Sequence, residues 1–410
     1  MLRRRSLLDQ HRLTEREEKS FQLLELLRQR GHLTRTELSQ GTGFNIVTVS
    51  NYINEFIKRG LVSERGFDVS TGGRKPILVE LNATAGYVVG IDVGPVDVAG
   101  VQMVMVITDL RGQIVHRVPR PREHEAMETL LTRLAGLIKE LLDTSPVDVK
   151  HIYGMGIGLP GVMDERAGTV RDTSLHGNRT NYVAFRDQLE AEFRLPVFMG
   201  NDSTLAGYGE LRLGLDRPVQ NLLYLYSDVG ASLIINGHIY WGSSGSAGEI
   251  GIFVPAEDDY LKWINAPPFV LSNVWDLGLA AQAKKLIGEG HATTIQELVH
   301  GELDAITLGT VLQAVQRGDP LARELVEHAA MQLGIRIAYF VNFLNPEVVI
   351  IGGGIEQAGS LLLEPVWRAV KKYAYEEPAS LVDILPAQLG ENAVALGGAC
   401  WVIRELFVQA

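Results

Sequence analysis

The feature that most limits the fold of this chain lies between Glu18 and Leu81, where apolar residues recur at helical spacing three times and then return as two short strands. Phe21, Leu23, Leu24, Leu26 and Leu27 predict a helix from Glu18 to Arg30, closed by Gly31. Thr34 stands three residues before Glu37, the spacing of a capping box, and Leu38 supplies the buried contact of a second short helix. Gly41 and Gly43 allow a tight turn, Asn45 is a good N-cap, and Val47, Val49, Tyr52, Ile53, Phe56 and Ile57 predict a third helix ending at Gly60. Leu61 and Val62 begin one strand, and Ile77, Leu78, Val79 and Leu81 form its return across a polar tip from Asp68 to Gly73.

Two helices joined by so short a turn cross steeply, which leaves the second free to lie in a major groove. The hairpin is then a wing, with Arg74 and Lys75 at its tip, in reach of phosphates or a minor groove. Residues 1–82 therefore read as a winged helix-turn-helix domain whose partner is a double-stranded DNA operator. The expected DNA contacts are Asn45, Ile46, Thr48, Ser50 and Asn51, with Val47 beside them, and Arg74 and Lys75 on the wing. Ile46 suits a thymine methyl and Asn51 an adenine. The bland alternative is a small helical packing module with a solvated basic tip.

Charge separates this head from the rest. Residues 1–80 hold 14 Lys or Arg against 10 Asp or Glu, while the remainder holds 24 against 39. Attraction for nucleic acid is thus confined to the head, and the acidic body is no DNA partner. A length of 410 residues with 46% hydrophobic composition calls for more than one domain and supplies large cores. The single cysteine, Cys400, excludes an internal disulfide and a multi-cysteine zinc site, and reads as a small core residue. Arg3, Arg4 and Arg5 look like the start of a signal peptide, but Asp9, Gln10, His11 and Arg12 interrupt any apolar stretch behind them. No apolar run reaches membrane length, so the expectation is a cytoplasmic protein with no membrane partner.

The body alternates strands and helices. Strands are expected at Tyr87 to Gly94, Val98 to Asp109, His151 to Leu159 and Val197 to Gly200, with helices from Glu125 to Leu142 and Phe185 to Phe193. A second set, Leu222 to Tyr226, Ala231 to Asn236 and Val348 to Ile351, suggests another lobe of related design, and two lobes imply a cleft with its site at the strand ends. The helix from Leu325 to Phe343 reads as internal, with an oligomer interface as the alternative.

These body residues carry a family resemblance. The chain resembles ROK proteins, the group joining bacterial sugar-responsive repressors of the N-acetylglucosamine and xylose type to sugar kinases. Gly90 to Gly94 is similar to the family's first phosphate-binding turn, Gly158 to Gly161 to its sugar-side loop, and Asn201 and Asp202 to the pair at the reacting hydroxyl. Gly248, Glu249, Ile250 and Gly251 match the family's Gly-Glu-Ile-Gly segment, and Asn178 falls where the family often has a sugar-contacting Asn, four residues before Tyr182. The resemblance implies an α/β fold in which a two-lobed, actin-like (sugar kinase or ribonuclease H-like) body follows the head. Its lobes would span 83–205 and 206–410, with the last helix returning to the first lobe, and the assembly would be a homodimer or homotetramer.

The phosphate machinery departs from the family pattern. Pro95, Val96 and Asp97 stand where small residues and a threonine would meet a triphosphate, and Tyr226, Ser227 and Asp228 replace Gly-Thr-Gly, leaving Gly230. Proline removes a donor and the aspartates repel phosphate. Gly352 to Gly354 serve helix packing equally well. Ile252 stands at the family's zinc His and Phe253 to Ser272 has no Cys, so no metal is expected. Trp263 and Trp275 read as packing, with stacking on a sugar as the alternative.

The expected function is a repressor of carbohydrate-utilisation genes, with a sugar or sugar-derivative effector held by Asn178, Asn201, Asp202 and Glu249, no cofactor and no enzyme activity. Asp202 is then a vestigial kinase base. For Asn201 and Asp202 the alternative is a simple helix N-cap. The rival functions are an ATP-dependent sugar kinase with a DNA-binding head, in which Asp202 works as general base, and a ligand-independent DNA-binding oligomer.

Overall fold

The computed structural model describes the whole chain except residues 1, 3–12, 68–75, 95–101, 122–126, 172–177, 227–229 and 251–276. In the head, α1 (Glu15–Arg30) starts earlier than apolar spacing alone predicts. Thr14 and Glu17 cap each other's backbone reciprocally, and this adds a polar first turn to the periodic segment. The second capping box is as expected: Thr34 and Glu37 open α2 (Arg35–Thr42), which ends at Gly43 with φ +75°. Asn45 caps α3 (Ile46–Lys58). The wing strands β2 (Val62–Phe67) and β3 (Ile77–Leu81) pair antiparallel, and a short strand absent from the sequence reading, β1 (His32–Thr34), adds to β3. Leu23, Leu24, Leu27, Leu38, Val49, Ile53 and Phe56 are fully buried and form the head's core. Val47, counted above among the periodic apolar positions, lies instead on the outer face and is 66% exposed.

The body holds two five-stranded sheets built to one plan. In the first, β4 (Tyr87–Asp92), β5 (Gln102–Asp109) and β6 (Ile114–Pro121) form an antiparallel meander, and β7 (Ile152–Leu159) and β11 (Val197–Asn201) add in parallel, in the order β11-β7-β4-β5-β6. Between β7 and β11 lies a small antiparallel sheet of β8 (Val162–Asp164), β9 (Thr169–Arg171) and β10 (Arg179–Asn181). In the second lobe β12 (Leu222–Tyr226), β13 (Gly230–Ile235) and β14 (His238–Ile239) make the meander, and β15 (Val348–Gly352) and β16 (Asp383–Pro386) add in parallel, in the order β14-β13-β12-β15-β16. The two orders are the same. Each sheet is therefore a meander extended by parallel crossovers, which places the ends of its first, fourth and fifth strands on one edge.

Helices fill the crossovers: α4 (Met127–Thr144), α5 (Tyr182–Phe193) and α6 (Asp202–Gly209) in the first lobe, then α7 (Leu279–Gly288), α8 (Thr294–Leu298), α9 (Leu308–Gln316), α10 (Pro320–Leu344), α11 (Ser360–Tyr373) and α12 (Glu376–Leu381) in the second. The helix α6 runs on as a π-helical segment, Glu210–Gly214. The last helix, α13 (Ala393–Val408), packs against β4, β7 and α6. It lies with backbone against backbone: a Cβ on Gly90 would stand 1.9 Å from the Ala395 carbonyl oxygen, and one on Gly397 would stand 1.8 Å from that of Leu205. Cys400 is buried on this helix.

Gly397→Ala is expected to lower stability by about 3 kcal/mol or to block folding, because neither backbone can yield. Thermal unfolding of the purified variant measures this. A melting temperature equal to wild type would show that α13 can move off α6.

Candidate functional site

The cleft is built from strand ends. Asp92 is the last residue of β4 and pairs in register with Gly158 of β7, which in turn pairs with Gly200 of β11. At strand spacing this row sets Asp92 and Gly200 roughly 10 Å apart. Asn201 and Asp202 follow at once, where β11 turns into α6. Gly158 leaves the middle of the row without a side chain; a Cβ there would meet Val394 at 2.2 Å and come within 3.6 Å of the Asp202 Cα.

Asn201 caps α6. Its Oδ1 accepts the Thr204 N–H at 3.0 Å and the Ser203 hydroxyl at 2.6 Å, and its Nδ2 donates to the Gly161 carbonyl at 3.2 Å. The capping geometry weighed above is thus present, and Asn201 also ties the Gly158 to Gly161 loop to the start of α6. Asp202 Oδ1 accepts its neighbour's amide, Ser203 N–H, at 2.6 Å. Burial, then the charge of Asp92 and less strongly that of Glu249, pushes the Asp202 carboxyl up to about 8. Asp92 Oδ1 accepts the Gly94 N–H at 2.8 Å, and burial raises its carboxyl to about 7. An amide of the Gly90 to Gly94 turn is thereby engaged by the protein's own carboxylate. Glu249 keeps part of its surface open to solvent, yet desolvation within the mouth raises it to about 7 against the pull of Arg171. Gly248, at φ +102°, makes this placement possible: its carbonyl accepts the Ala231 N–H at 2.8 Å, and a Cβ on it would stand 1.9 Å from the Ala231 oxygen.

Tyr226 ends β12, the second-lobe counterpart of β4. Its ring is buried and stacks on Tyr224, with centroids 6.1 Å apart. Burial first, then the charges of Asp92 and Asp202, hold its hydroxyl well above the normal tyrosine range. Asp92, read only within the Gly90 to Gly94 turn, and Tyr226, read only as a bar to phosphate, are members of this site that sequence reasoning did not count among the effector contacts. The signal was their shared place at the end of each lobe's first strand. Asn178 is exposed beside β10, while Tyr182 is buried and donates its hydroxyl to Glu165. Pro95, Val96, Asp97, Ser227, Asp228, Ile252, Trp263 and Trp275 lie outside the described residues. Among the described residues no cluster of three or more His, Cys, Asp or Glu side chains could hold a metal ion.

On the head, Ile46, Val47, Asn51, Asn54 and Lys58 of α3 are exposed, and Val47, Asn51, Asn54 and Lys58 recur as one stripe along the helix. Thr48 and Ser50 are half-buried at its edge. Asn45 spends its Oδ1 on the Thr48 N–H at 2.8 Å, which sets the start of the helix. Arg74 and Lys75 lie outside the described residues. Asn54 and Lys58 extend the stripe beyond the first turns of α3, and Asn54 Oδ1 accepts from Arg35 at 3.3 Å. No helix among the described residues is long and apolar enough to cross a membrane.

A DNA-reading head on a duplicated, cleft-bearing body is the architecture of a sugar-kinase-like regulator. The ROK family's profile matches residues 88–262 and 278–405, and that of the winged helix-turn-helix DNA-binding domain matches residues 16–63. This chain belongs to the ROK family. It is 31% identical over 380 residues, 91% of this chain and 92% of the relative, to the xylose repressor of Caldicellulosiruptor bescii. It is 29% identical to the glucokinase of Halalkalibacterium halodurans over 323 residues, 78% of this chain and 95% of the enzyme. Among solved structures, a ROK family transcriptional regulator described as a homologue of the E. coli Mlc protein superposes with a TM-score of 0.75 at 19% identity, covering 96% of this chain and 97% of the other.

The carboxyl cluster has a pH signature. A carboxyl whose folded pKa lies above its unfolded value holds its proton more tightly when folded, so its contribution is most favourable below about pH 4 and is lost as pH rises toward 8. Asp202→Asn should therefore flatten the fall in melting temperature between pH 5 and pH 8.5, and should melt a few degrees above wild type at the higher pH. Parallel curves for the two proteins would remove Asp202 from the coupled cluster.

Proposed function

We infer that this protein is a transcriptional repressor of carbohydrate-utilisation genes whose cleft binds a sugar without phosphorylating it. The observation that carries this reading is the position of Tyr226. In the sequence it stands at the first residue of the family's second phosphate turn, and its ring is buried at the end of β12, where the charges of Asp92 and Asp202 are felt at its hydroxyl. Bulk and two nearby carboxyls at that place disfavour a triphosphate. On the sugar side, Asp202, Asn178 and Glu249 offer acceptors and an amide for hydroxyl groups, and Asn201 keeps one Nδ2 hydrogen beyond its bond to Gly161. On the head, Ile46, Val47 and Asn51 contact bases, Thr48 and Ser50 lie at the edge of the contact, Asn45 sets the helix, and Arg74 and Lys75 take phosphates.

The xylose repressor relative makes D-xylose the first probe. Titrated into the full chain, a panel of xylose, glucose, N-acetylglucosamine and their phosphates should contain one compound that raises the melting temperature by several degrees and changes operator affinity, and both effects should be lost in Asp202→Asn. Silence across the panel in both assays would favour the ligand-independent oligomer. The kinase alternative draws on the raised Asp202 carboxyl, which suits a general base near neutral pH. ATP-dependent phosphorylation of any panel sugar, abolished by Asp202→Asn, would overturn the non-enzymatic reading.

We also propose that the working unit is a dimer. Along α10, Leu325, Val326, Ala329, Ala330, Leu333, Ile337 and Val341 are buried, but Tyr339 and Phe343 are exposed and stack on each other at 6.0 Å and 6°. Tyr375 donates its amide to Asn342 at 2.8 Å, which brings a third exposed ring to this patch. Such a patch suits an isologous contact with a second copy. Phe343→Glu should convert the dimer to monomer in light scattering at micromolar concentration; an unchanged mass would place the interface elsewhere.

A further inference from the structure

Three parts of the molecule meet at the π-helical segment Glu210–Gly214. Upstream, it continues α6, whose first residue is Asp202, so that the cleft and the segment share one helical rod about 20 Å long. From the second lobe, the loop after β16 donates two amides, those of Gln388 and Leu389, to the buried Glu210 Oε1 at 2.9 and 2.8 Å. From the head, α1 lays Phe21 against Arg212, whose guanidinium is 5.0 Å from that ring and 4.9 Å from Tyr208.

The contact with the head is ionic and largely dry. Glu25 on α1 is held by Arg28 through two bonds of 2.7 and 2.9 Å and lies 3.3 Å from Arg212 Nη1. Burial opposes its charge, yet Arg212 and Arg28 outweigh that and hold the carboxyl at about 2. Arg28 continues across the joint, donating to the Arg212 carbonyl at 2.9 Å and to the Arg111 carbonyl, in the β5–β6 turn, at 3.2 Å. Ser20, fully buried, donates to the Phe407 carbonyl of α13 at 2.8 Å. A buried ion pair of this kind is poor glue and good register: with one partner removed, the other is left charged and unpaired.

We propose that Arg212 is the positioning residue that fixes the DNA-reading head on the body, and that the π segment makes the head's orientation depend on the cleft. The start of α6 cannot slide alone, because Gly397 of α13 touches the Leu205 backbone, and a Cβ on Gly209 would stand 2.8 Å from the Ala393 carbonyl oxygen. A change in the angle between the lobes pulls on Glu210, and a change at Asp202 pushes along α6. Both meet the five residues whose i→i+5 bonding can relax toward i→i+4, and Arg212 is among them. A two-state element biased from the cleft and in contact with the head is what coupling between the two sites needs.

The proposal rests on the reading of the cleft as the input, and a double-mutant cycle without any sugar tests it. An operator is selected from random duplex DNA by the wild-type full chain, and affinity is read by fluorescence anisotropy at one salt concentration. Asp202→Asn is expected to shift affinity by about fivefold in the wild-type background and by less than about twofold in Arg212→Gln. Equal shifts in both backgrounds, or no shift in the first, would overturn the coupling, since distant and independent sites add. A melting curve accompanies each variant. Should Arg212→Gln fail to fold, Glu25→Gln approaches the same joint from the head and is judged by the same criterion. A failed cycle with a positive sugar titration removes this route alone, whereas a failed titration with a positive cycle removes the sugar and leaves the route.

Discussion

The structure depends on helix α13 resting backbone to backbone on the first lobe. Gly90 and Gly156 let it touch β4 and β7, and Gly397 lets α6 touch it. Larger residues at these places would hold the layers apart and allow each to adjust on its own side-chain cushion. Without that cushion, sheet, α6 and α13 form a block in which small displacements are conserved rather than absorbed. The head's core is continuous with this block, for the same buried cluster runs from Leu23, Leu27 and Phe56 to Trp401, Val402 and Phe407. The head is thus mounted on the first lobe.

Duplication explains the cleft. The same strand order in both lobes sets the end of each first strand toward the opening, Asp92 on one side and Tyr226 on the other. In the first lobe that position bears an acid, and the chain adds Asp202 and Glu249 nearby, so each carboxyl raises the proton affinity of its neighbour or is raised by burial. Neutral hydroxylated ligands suit such a place better than anions, because they exchange hydrogen bonds without adding charge.

Much of this was legible in the sequence. Capping residues announced two of the three head helices, since Thr34 with Glu37 and Asn45 satisfy local amides with local side chains. The start of α1 was missed because the polar turn from Glu15 carries no apolar period. Strands β4, β7, β11, β12 and β15 are apolar runs buried on both faces, and runs of that kind declare themselves; β1, β8, β9 and β10 have three residues each, too few to show a period, and β1 depends on a partner far along the chain. Asn201 and Asp202 were found by their place after a strand, where an N-cap was also legible, yet only geometry revealed that Asn201 binds the Gly161 carbonyl as well and that Asp92 shares the charge. The joint of Glu25, Arg28 and Arg212 was invisible for the same reason. Its ionic partners are separated by as many as 187 positions, and nothing in the period of α1 tells a buried Glu from a solvated one.

The bond from Ser20 to Phe407 carries a further meaning for how the protein is made. The carbonyl that accepts the Ser20 hydroxyl comes 387 positions later, so a nascent chain halted before residue 393 lacks the cover that α13 gives to α1. Its recognition helix would be complete while its mounting rested on the contacts with Arg111 and Arg212 alone. A ribosome that stalls part-way therefore releases a head held in register by half of its mounting, and occupancy of both halves of a symmetric DNA site requires that register. Synthesis of the last helix is in this sense the step that commissions the first.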